Sequence, residues 1–143
     1  MKRIILHVED DPNDALLVQL AFRKLDLSAQ LRAVDDGDKA MAYLSNQPPF
    51  ADKGQCPRPG FVLLDIKLPG GSGFDVLAWI RARPELRYLP VAILSSSTQP
   101  EDIRKAYDTG ANSFIQKPSS LEGIMEMVRT AHAFWAGYNQ SIV

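Results

Sequence analysis

Hydrophobic and polar positions follow two alternating patterns along the chain, short apolar runs and longer stretches with helical spacing. The short runs predict strands at residues 3–8, 31–35, 60–65, 90–95 and 112–116. The run Phe-Val-Leu-Leu at 61–64 is apolar at every position, as in parallel strands that helices cover on both faces. A helical stretch follows each strand, so the pattern predicts an α/β fold with a doubly wound, five-stranded parallel sheet.

The predicted helices cover residues 12–24, 37–46, 73–83, 100–109 and 119–137. The first has a clear start, because Asp11 suits an N-cap and Pro12 the first helical position. Gly110 is placed to end the fourth helix. Residues 47–60 are rich in proline and glycine, which predicts a long surface loop and not a domain boundary.

Composition indicates one ordinary globular domain over residues 1–143, with 45% apolar and 23% charged residues. The net charge of -1 and the lack of a basic stripe argue against direct binding of nucleic acid. No apolar segment has the length of a signal peptide or a membrane span. Cys56 is the single cysteine, which suits a reducing cytosol, so we expect a cytoplasmic protein.

Polar residues gather where the predicted strands end. In open α/β sheets, ligands bind outside the carboxyl ends of the strands, so residues there are the first candidates for a site. The candidates are Glu9, Asp10 and Asp11 after the first strand, Asp65 at the end of the third, Ser95 at the end of the fourth, and Lys117 after the fifth.

The acidic residues have two interpretations. Each alone is consistent with a solvated turn before a helix, and Asp11 fits the N-cap. If the first and third strands are neighbours, however, Glu9 and Asp10 lie close to Asp65. Three close carboxylates either raise one another's pKa or bind a cation, and Mg²⁺ prefers such oxygen ligands. The pattern therefore favours a magnesium site.

Asp65 alone is equally consistent with an acid that begins a turn, since Leu-Pro-Gly-Gly follows at 68–71. Held at a rigid apolar edge beside a magnesium ion, the same carboxylate can act as a nucleophile toward phosphorus. Phosphoryl transfer requires positioning and compensating positive charge. The Ser95 hydroxyl and the Lys117 ammonium meet those needs together, although each alone also fits a polar strand end or a surface lysine.

Together these residues resemble the receiver domains of bacterial two-component response regulators, over nearly the whole chain. The resemblance implies a flavodoxin-like (βα)5 fold with strand order 2-1-3-4-5. It also implies that Asp65 accepts a phosphoryl group from a histidine kinase with bound Mg²⁺, with Glu9 and Asp10 as metal ligands. Such a protein is a phosphorelay switch and not an enzyme, apart from self-phosphorylation and self-dephosphorylation.

The resemblance implies further roles. The backbone carbonyl of Lys67 would complete the magnesium site. Phe114 would be an aromatic switch that turns inward when the Ser95 hydroxyl moves toward the phosphoryl group; a plain core phenylalanine is the alternative. The Lys117–Pro118 peptide matches a position that is typically cis, which is chemically reasonable before proline. Ser72 stands where many receivers have aspartate, and this affects no catalytic role.

A finer match concerns the partner. The long loop before the third strand, the run Asp-Ile-Lys-Leu-Pro at 65–69, and the pair Phe134 and Trp135 look like single-domain regulators that partner phytochrome-type histidine kinases. Light sensing would then belong to the partner, because no residue of this chain indicates a bilin attachment site.

The last predicted helix carries a broad apolar surface. Its members are Leu121, Ile124, Met125, Val128, Ala131 and Trp135 on one face, with Met127, Phe134 and Tyr138 beside them. This arc exceeds the stripe of about 100° that faces a core. With one helix after Lys117 we expect no output domain, so the signal leaves through a surface, and we predict a homodimer through the fourth and fifth helices. A tail that folds back over the arc is the alternative.

Three other functional classes fit less well. Phosphatases of the haloacid dehalogenase type carry Asp-x-Asp, whereas Ile66 and Lys67 follow Asp65. A nucleotide-binding protein would show a loop of the Gly-x-x-x-x-Gly-Lys type after the first strand, and none is present. An unphosphorylated scaffold would not need the complete set of site residues.

Overall fold

The computed structural model describes residues 3–142, and five parallel strands form its central sheet. These strands are β1 (Ile4–Val8), β2 (Gln30–Val34), β3 (Phe61–Asp65), β6 (Val91–Ser95) and β7 (Ser113–Gln116). Two short strands, β4 (Lys67–Leu68) and β5 (Gly71–Ser72), form an antiparallel hairpin. The spatial order β2-β1-β3-β6-β7 is the order 2-1-3-4-5 of the main strands, so the predicted topology is confirmed.

Four α-helices connect the strands and a fifth follows the last of them: α1 (Pro12–Leu25), α2 (Gly37–Leu44), α3 (Gly73–Ala82), α4 (Pro100–Thr109) and α5 (Leu121–Ala131). The predicted cap of α1 is confirmed, because the Asp11 side chain accepts a hydrogen bond of 2.8 Å from the backbone N–H of Asn13. Gly110 ends α4 with a φ of 113°, in the left-handed region that glycine tolerates. None of the described helices has the length and apolarity required to cross a bilayer.

The sheet is covered on both faces, which explains why its central strands are apolar at successive positions. Side chains of one parity, such as Leu6 and Val8, pack with α2, α3 and α4. Those of the other parity, such as Ile5 and Leu63, pack with α1 and α5. Because neighbouring residues of a strand point to opposite faces, the side chains of Glu9 and Asp65 lie on the α1/α5 face.

The last helix differs from its prediction. We predicted one helix to residue 137, but α5 ends at Ala131 and a π-helical segment follows over His132–Tyr138. Within this segment Trp135 stacks on Phe61, with ring centroids 5.2 Å apart. This contact ties the tail to the hydrophobic core at the amino end of β3.

Much of the predicted apolar arc is covered by the protein itself. Ile124, Val128 and Ala131 are buried in the core cluster of the α1/α5 face, and Trp135 is partly buried against the same cluster. Phe134 and Tyr138 stay exposed. The arc is thus reduced to a smaller aromatic patch at the end of the chain.

The prediction of a cis peptide bond at Lys117–Pro118 is wrong. Among the described residues, the cis bond is Pro48–Pro49, in the long loop before β3. A bond before proline favours trans by about 0.5–1 kcal/mol, so Pro118 permits the cis form without requiring it.

Candidate functional site

The strand ends named from the sequence meet at one edge of the sheet. Residues Val8 and Leu64 are paired in the β1–β3 register, which brings the carboxyl ends of these strands side by side. Asp65 pairs with Leu94 on β6, so Ser95 lies one residue beyond it. The backbone N–H of Lys117 donates to the carbonyl of Ser95 at 2.8 Å, which joins the last strand to the same edge.

The three predicted metal ligands come together. One carboxylate oxygen each from Glu9, Asp10 and Asp65 lies within 4.8 Å of the others. Glu9 and Asp65 are buried, whereas Asp10 is exposed at the mouth of the crevice. The group is therefore fixed by the sheet on its inner side and open to solvent on its outer side, as an exchangeable hard cation requires.

Lys117 is the positive charge of the crevice. Its Nζ lies 2.7 Å from Glu9 Oε1, 3.0 Å from Asp14 Oδ2 and 3.1 Å from Asp65 Oδ2. Burial alone would lower the pKa of Lys117, yet its contacts with Glu9 and Asp14 and the charge of Asp65 raise that pKa above its ordinary value. The lysine is thus held charged beside Asp65.

The Glu9 carboxylate is buried and close to a second carboxylate. Burial raises the pKa of Glu9 to about 7, and the neighbouring Asp65 adds to the rise, while Lys117 opposes it. One ammonium thus only partly compensates the crowded carboxylates. Additional positive charge at this point would stabilise their ionised forms.

Asp14 is the site residue that the sequence reasoning missed. It lies in the first turn of α1 and accepts a hydrogen bond of 3.0 Å from Lys117 Nζ. Its partner Lys117 is 103 residues away in the chain, so no local sequence pattern indicates this contact.

Comparison with known proteins assigns the chain to a family. Residues 5–129 match the response regulator receiver domain. The chain belongs to this family. The match covers the five main strands and nearly all of α5, so the resemblance inferred from the sequence is confirmed.

Two curated receiver proteins illustrate the range of relatives. The probable methanogenesis regulatory protein FilR2 of Methanothrix harundinacea is 36% identical over 138 residues, covering 96% of this chain and 86% of the relative. The response regulator Rcp1 of Synechocystis is 34% identical over 133 residues, covering 93% of this chain and 88% of Rcp1.

Solved receiver structures resemble this chain over its full length. The phosphorylated cyanobacterial phytochrome response regulator RcpA is 33% identical with a TM-score of 0.91, covering 100% of both chains. The Mn²⁺-bound form of Rcp1 is 32% identical with a TM-score of 0.86, covering 99% of both chains. Phytochrome response regulators are therefore among the structural relatives of this receiver.

Ser95, the predicted hydroxyl of the site, is the last residue of β6. Its Oγ accepts a hydrogen bond of 3.0 Å from the backbone N–H of Ser97, which uses a lone pair and not the O–H donor. The Ser97 hydroxyl in turn donates to Asp102 on α4 at 2.7 Å. A short chain of hydrogen bonds thus links the receiver site to the first turn of α4.

Two further residues of the receiver resemblance are Lys67 and Phe114. Lys67 is in β4, two residues beyond Asp65, and its side chain is exposed. Phe114 is on β7 and is partly buried against the core cluster of the α2/α3/α4 face. Their roles as a carbonyl ligand and as an aromatic switch stay predictions.

Gly73 allows the backbone at Asp65 to lie against the start of α3. An added Cβ at Gly73 would lie 2.1 Å from the carbonyl oxygen of Asp65 and 3.1 Å from the Cα of Ile66. The backbone N–H of Gly73 also donates to the carbonyl of Ile66 at 2.7 Å. The first residue of α3 therefore packs against the backbone of Asp65 and fixes its position.

Proposed function

We propose that this receiver is a phosphorelay switch that accepts one phosphoryl group on Asp65. The observation that carries the proposal is the buried Asp65 carboxylate, which lies 3.1 Å from Lys117 Nζ and within the cluster of Glu9 and Asp10. Such an arrangement positions a nucleophile next to compensating charge, which is the main requirement for phosphoryl transfer.

Magnesium is the cation that fits the proposed site. Glu9, Asp10 and Asp65 supply carboxylate oxygens, and the backbone carbonyl of Lys67 supplies a further oxygen ligand. The fit is supported by geometry, because one oxygen from each of the three carboxylates lies within 4.8 Å of the others. When bound, a divalent ion would neutralise charge that develops on the phosphoryl oxygens.

The proposed reaction needs no other group of the chain as a nucleophile. An oxygen of Asp65 forms a bond to phosphorus of the phosphohistidine on the kinase, and the bond from phosphorus to the imidazole nitrogen breaks. The electron pair of that bond stays with the imidazole. Lys117 and the O–H of Ser95 are placed to interact with phosphoryl oxygens, so the chain contributes charge and positioning rather than turnover.

A direct experiment tests this function. Incubated with Mg²⁺ and acetyl phosphate, the wild-type protein should gain one phosphoryl group by intact mass. Asp65→Asn and a sample treated with EDTA should gain none, because the nucleophile or the metal is missing. Asp38→Asn is the matched control, since Asp38 is an exposed acid in the first turn of α2 and should leave the adduct unchanged. An adduct that persists in Asp65→Asn contradicts the proposal.

We further propose that the phosphodonor is a phytochrome-type histidine kinase. The similarity to RcpA and Rcp1 supports this partner, because RcpA is a phytochrome response regulator that covers the whole of this chain. Phosphorylation would shift an equilibrium between two surface conformations, with Ser95 and Phe114 as the switch residues. The signal would then pass to a downstream protein through that surface.

A homodimer through the α4/α5 side of the receiver completes the proposal. Exposed aromatic rings support it: Phe134 is 50% exposed, Tyr138 is 79% exposed, and Tyr107 on α4 is 50% exposed. Aromatic residues at this exposure commonly mark protein contacts. We assign the dimer contact to these exposed aromatic side chains, which the core of the protein does not cover.

Oligomeric state tests the dimer. Sedimentation velocity at increasing protein concentration should show twice the chain mass of 15.9 kDa, and Phe134→Asp should return the protein to that mass. The matched control is Leu16→Asp, which places the same charge at a 48% exposed residue of α1. A monomer at every concentration, or an equal effect of both variants, would exclude this interface.

A further inference from the structure

Lys117 has three carboxylate partners, and they are not equivalent. Its ammonium has three N–H donors, and Glu9, Asp14 and Asp65 lie at 2.7, 3.0 and 3.1 Å. Glu9 and Asp65 belong to the cluster that can hold a metal ion, whereas Asp14 does not. Asp14 is therefore the one partner of Lys117 in this group whose carboxylate a bound metal would leave unused.

The three carboxylates also differ in the structural element that carries them and in their exposure to solvent. Glu9 and Asp65 are at strand ends on the rigid sheet, while Asp14 is in the first turn of α1. The Asp14 side chain is 39% exposed, compared with 1% for Glu9 and 8% for Asp65. Asp14 is thus the most solvent-exposed of the three carboxylates that contact Lys117.

Metal and phosphoryl groups would change the balance among these contacts. When Glu9 and Asp65 turn their charge toward a divalent ion, their attraction for the ammonium is weakened, since the cation repels Lys117. An ammonium on a flexible four-carbon side chain then has little to hold it at the crevice. A third carboxylate that does not bind the metal would keep the Lys117 ammonium from turning out into solvent.

We propose that Asp14 is a positioning residue that holds the Lys117 ammonium at the crevice when metal occupies the neighbouring carboxylates. The proposal rests on the proposed function, because it assigns Asp14 a part in that same site. Asp14 acts through Lys117 and has no contact with the reacting atoms. Its role is to keep the positive charge ready for the phosphoryl oxygens.

A simpler role for Asp14 is the general one of an acid at a helix start. Negative charge in the first turn is favourable with the helix dipole, whatever the side chain contacts. Asp38 in the first turn of α2 has this role without contact to Lys117, so it is the matched control. The two explanations differ in whether Lys117 responds to the substitution.

The test observes Lys117 directly. In protein labelled with ¹⁵N-lysine, a slowly exchanging ammonium resonance of Lys117 should be present in the wild type with and without Mg²⁺. In Asp14→Ala it should persist without metal, because Glu9 and Asp65 still hold the ammonium, and disappear at saturating Mg²⁺. Asp14→Glu should restore the resonance, and Asp38→Ala should match the wild type in both conditions.

Kinetics provide the second readout. At saturating Mg²⁺, transfer from acetyl phosphate should be about fivefold slower in Asp14→Ala, the size expected for a partly exposed ion pair. Persistence of the Lys117 resonance in magnesium-loaded Asp14→Ala overturns the proposal, as does a rate equal to that of Asp38→Ala. If the wild type itself gains no phosphoryl group, the proposed function fails, and the resonance still decides the role of Asp14.

Discussion

Replacement of Gly73 by alanine should destabilise the protein by about 3 kcal/mol or more, near or above the upper end of the usual cost of overpacking. The new methyl carbon would lie 2.1 Å from the backbone oxygen of Asp65, and backbone atoms cannot swing aside as a long side chain can. Either the end of β3 or the start of α3 must move. The same movement would displace the Asp65 carboxylate, so phosphoryl transfer should decrease as well.

Urea unfolding followed by circular dichroism measures this effect. Gly137→Ala is the control, because the same methyl group at Gly137 meets no atom within 4 Å. That variant should differ from the wild type by less than about 1 kcal/mol. If Gly73→Ala were as stable as Gly137→Ala, the backbone of Asp65 would not be in close contact with the start of α3, and this account would be wrong.

Stability should also depend on pH through His7, in the middle of β1. His7 is 1% exposed, and neither ring nitrogen has a hydrogen-bond partner among the described residues. Burial, with a further contribution from the charge of Lys117, lowers the pKa of His7 from 6.5 to about 4. The charged imidazole is therefore disfavoured in the folded protein but not in the unfolded chain.

The direction of the effect follows from proton binding. Above pH 6.5 the ring is neutral in both states and His7 carries no penalty. As the pH falls from 6.5 to about 4, the unfolded chain binds a proton that the folded protein does not, so stability decreases. The pKa difference corresponds to about 3 kcal/mol by pH 4.

Glu9 acts in the opposite direction, so wild-type data alone would hide the effect. The pKa of Glu9 is raised to about 7, and its contribution in the metal-free protein is full below pH 4.5 and is lost as the pH rises through 7. The contribution of Glu9 is the same in the wild type and in His7→Leu, so it cancels when the stabilities of the two proteins are compared. The stability difference should grow in favour of His7→Leu by about 3 kcal/mol between pH 7.5 and 4.

Urea unfolding in metal-free buffer gives this difference, and NMR gives the pKa itself. The chain has two histidines, so the ring signal of His132 serves as an internal control in the same titration. His132 is partly exposed, and burial lowers its pKa. A His7 ring that titrates near 6.5, or a stability difference independent of pH, would contradict this account.

The sequence predicted the part of the site that depends on strand ends. In a parallel sheet, residues directly after buried strands meet at one edge, so Glu9, Asp65, Ser95 and Lys117 could be placed together before any coordinates. Strand order itself came from the family resemblance, because local patterns carry no information about which strands are neighbours. The strand order and the proximity of Glu9, Asp65 and Lys117 agree with the structure.

The sequence could not predict features that depend on contacts between distant segments. Asp14 and Lys117 are 103 residues apart, and no local pattern links an acid in the first helix to a lysine after the last strand. The π-helical winding after Ala131 likewise coincides with the contact between Trp135 and Phe61, which joins two parts of the chain far apart in sequence. Three-residue and four-residue periodicity could not distinguish this winding from a longer α-helix.

The stacking of Trp135 on Phe61 places a natural fluorophore at the far end of the strand that carries Asp65. Phe61 and Asp65 are the first and last residues of β3, about 13 Å apart at the rise of a parallel strand. The indole therefore has the core and the tail as its surroundings, and not the acidic crevice. In a variant that lacks Trp79, the other tryptophan of the chain, its emission should report whether the last described segment is docked on the sheet.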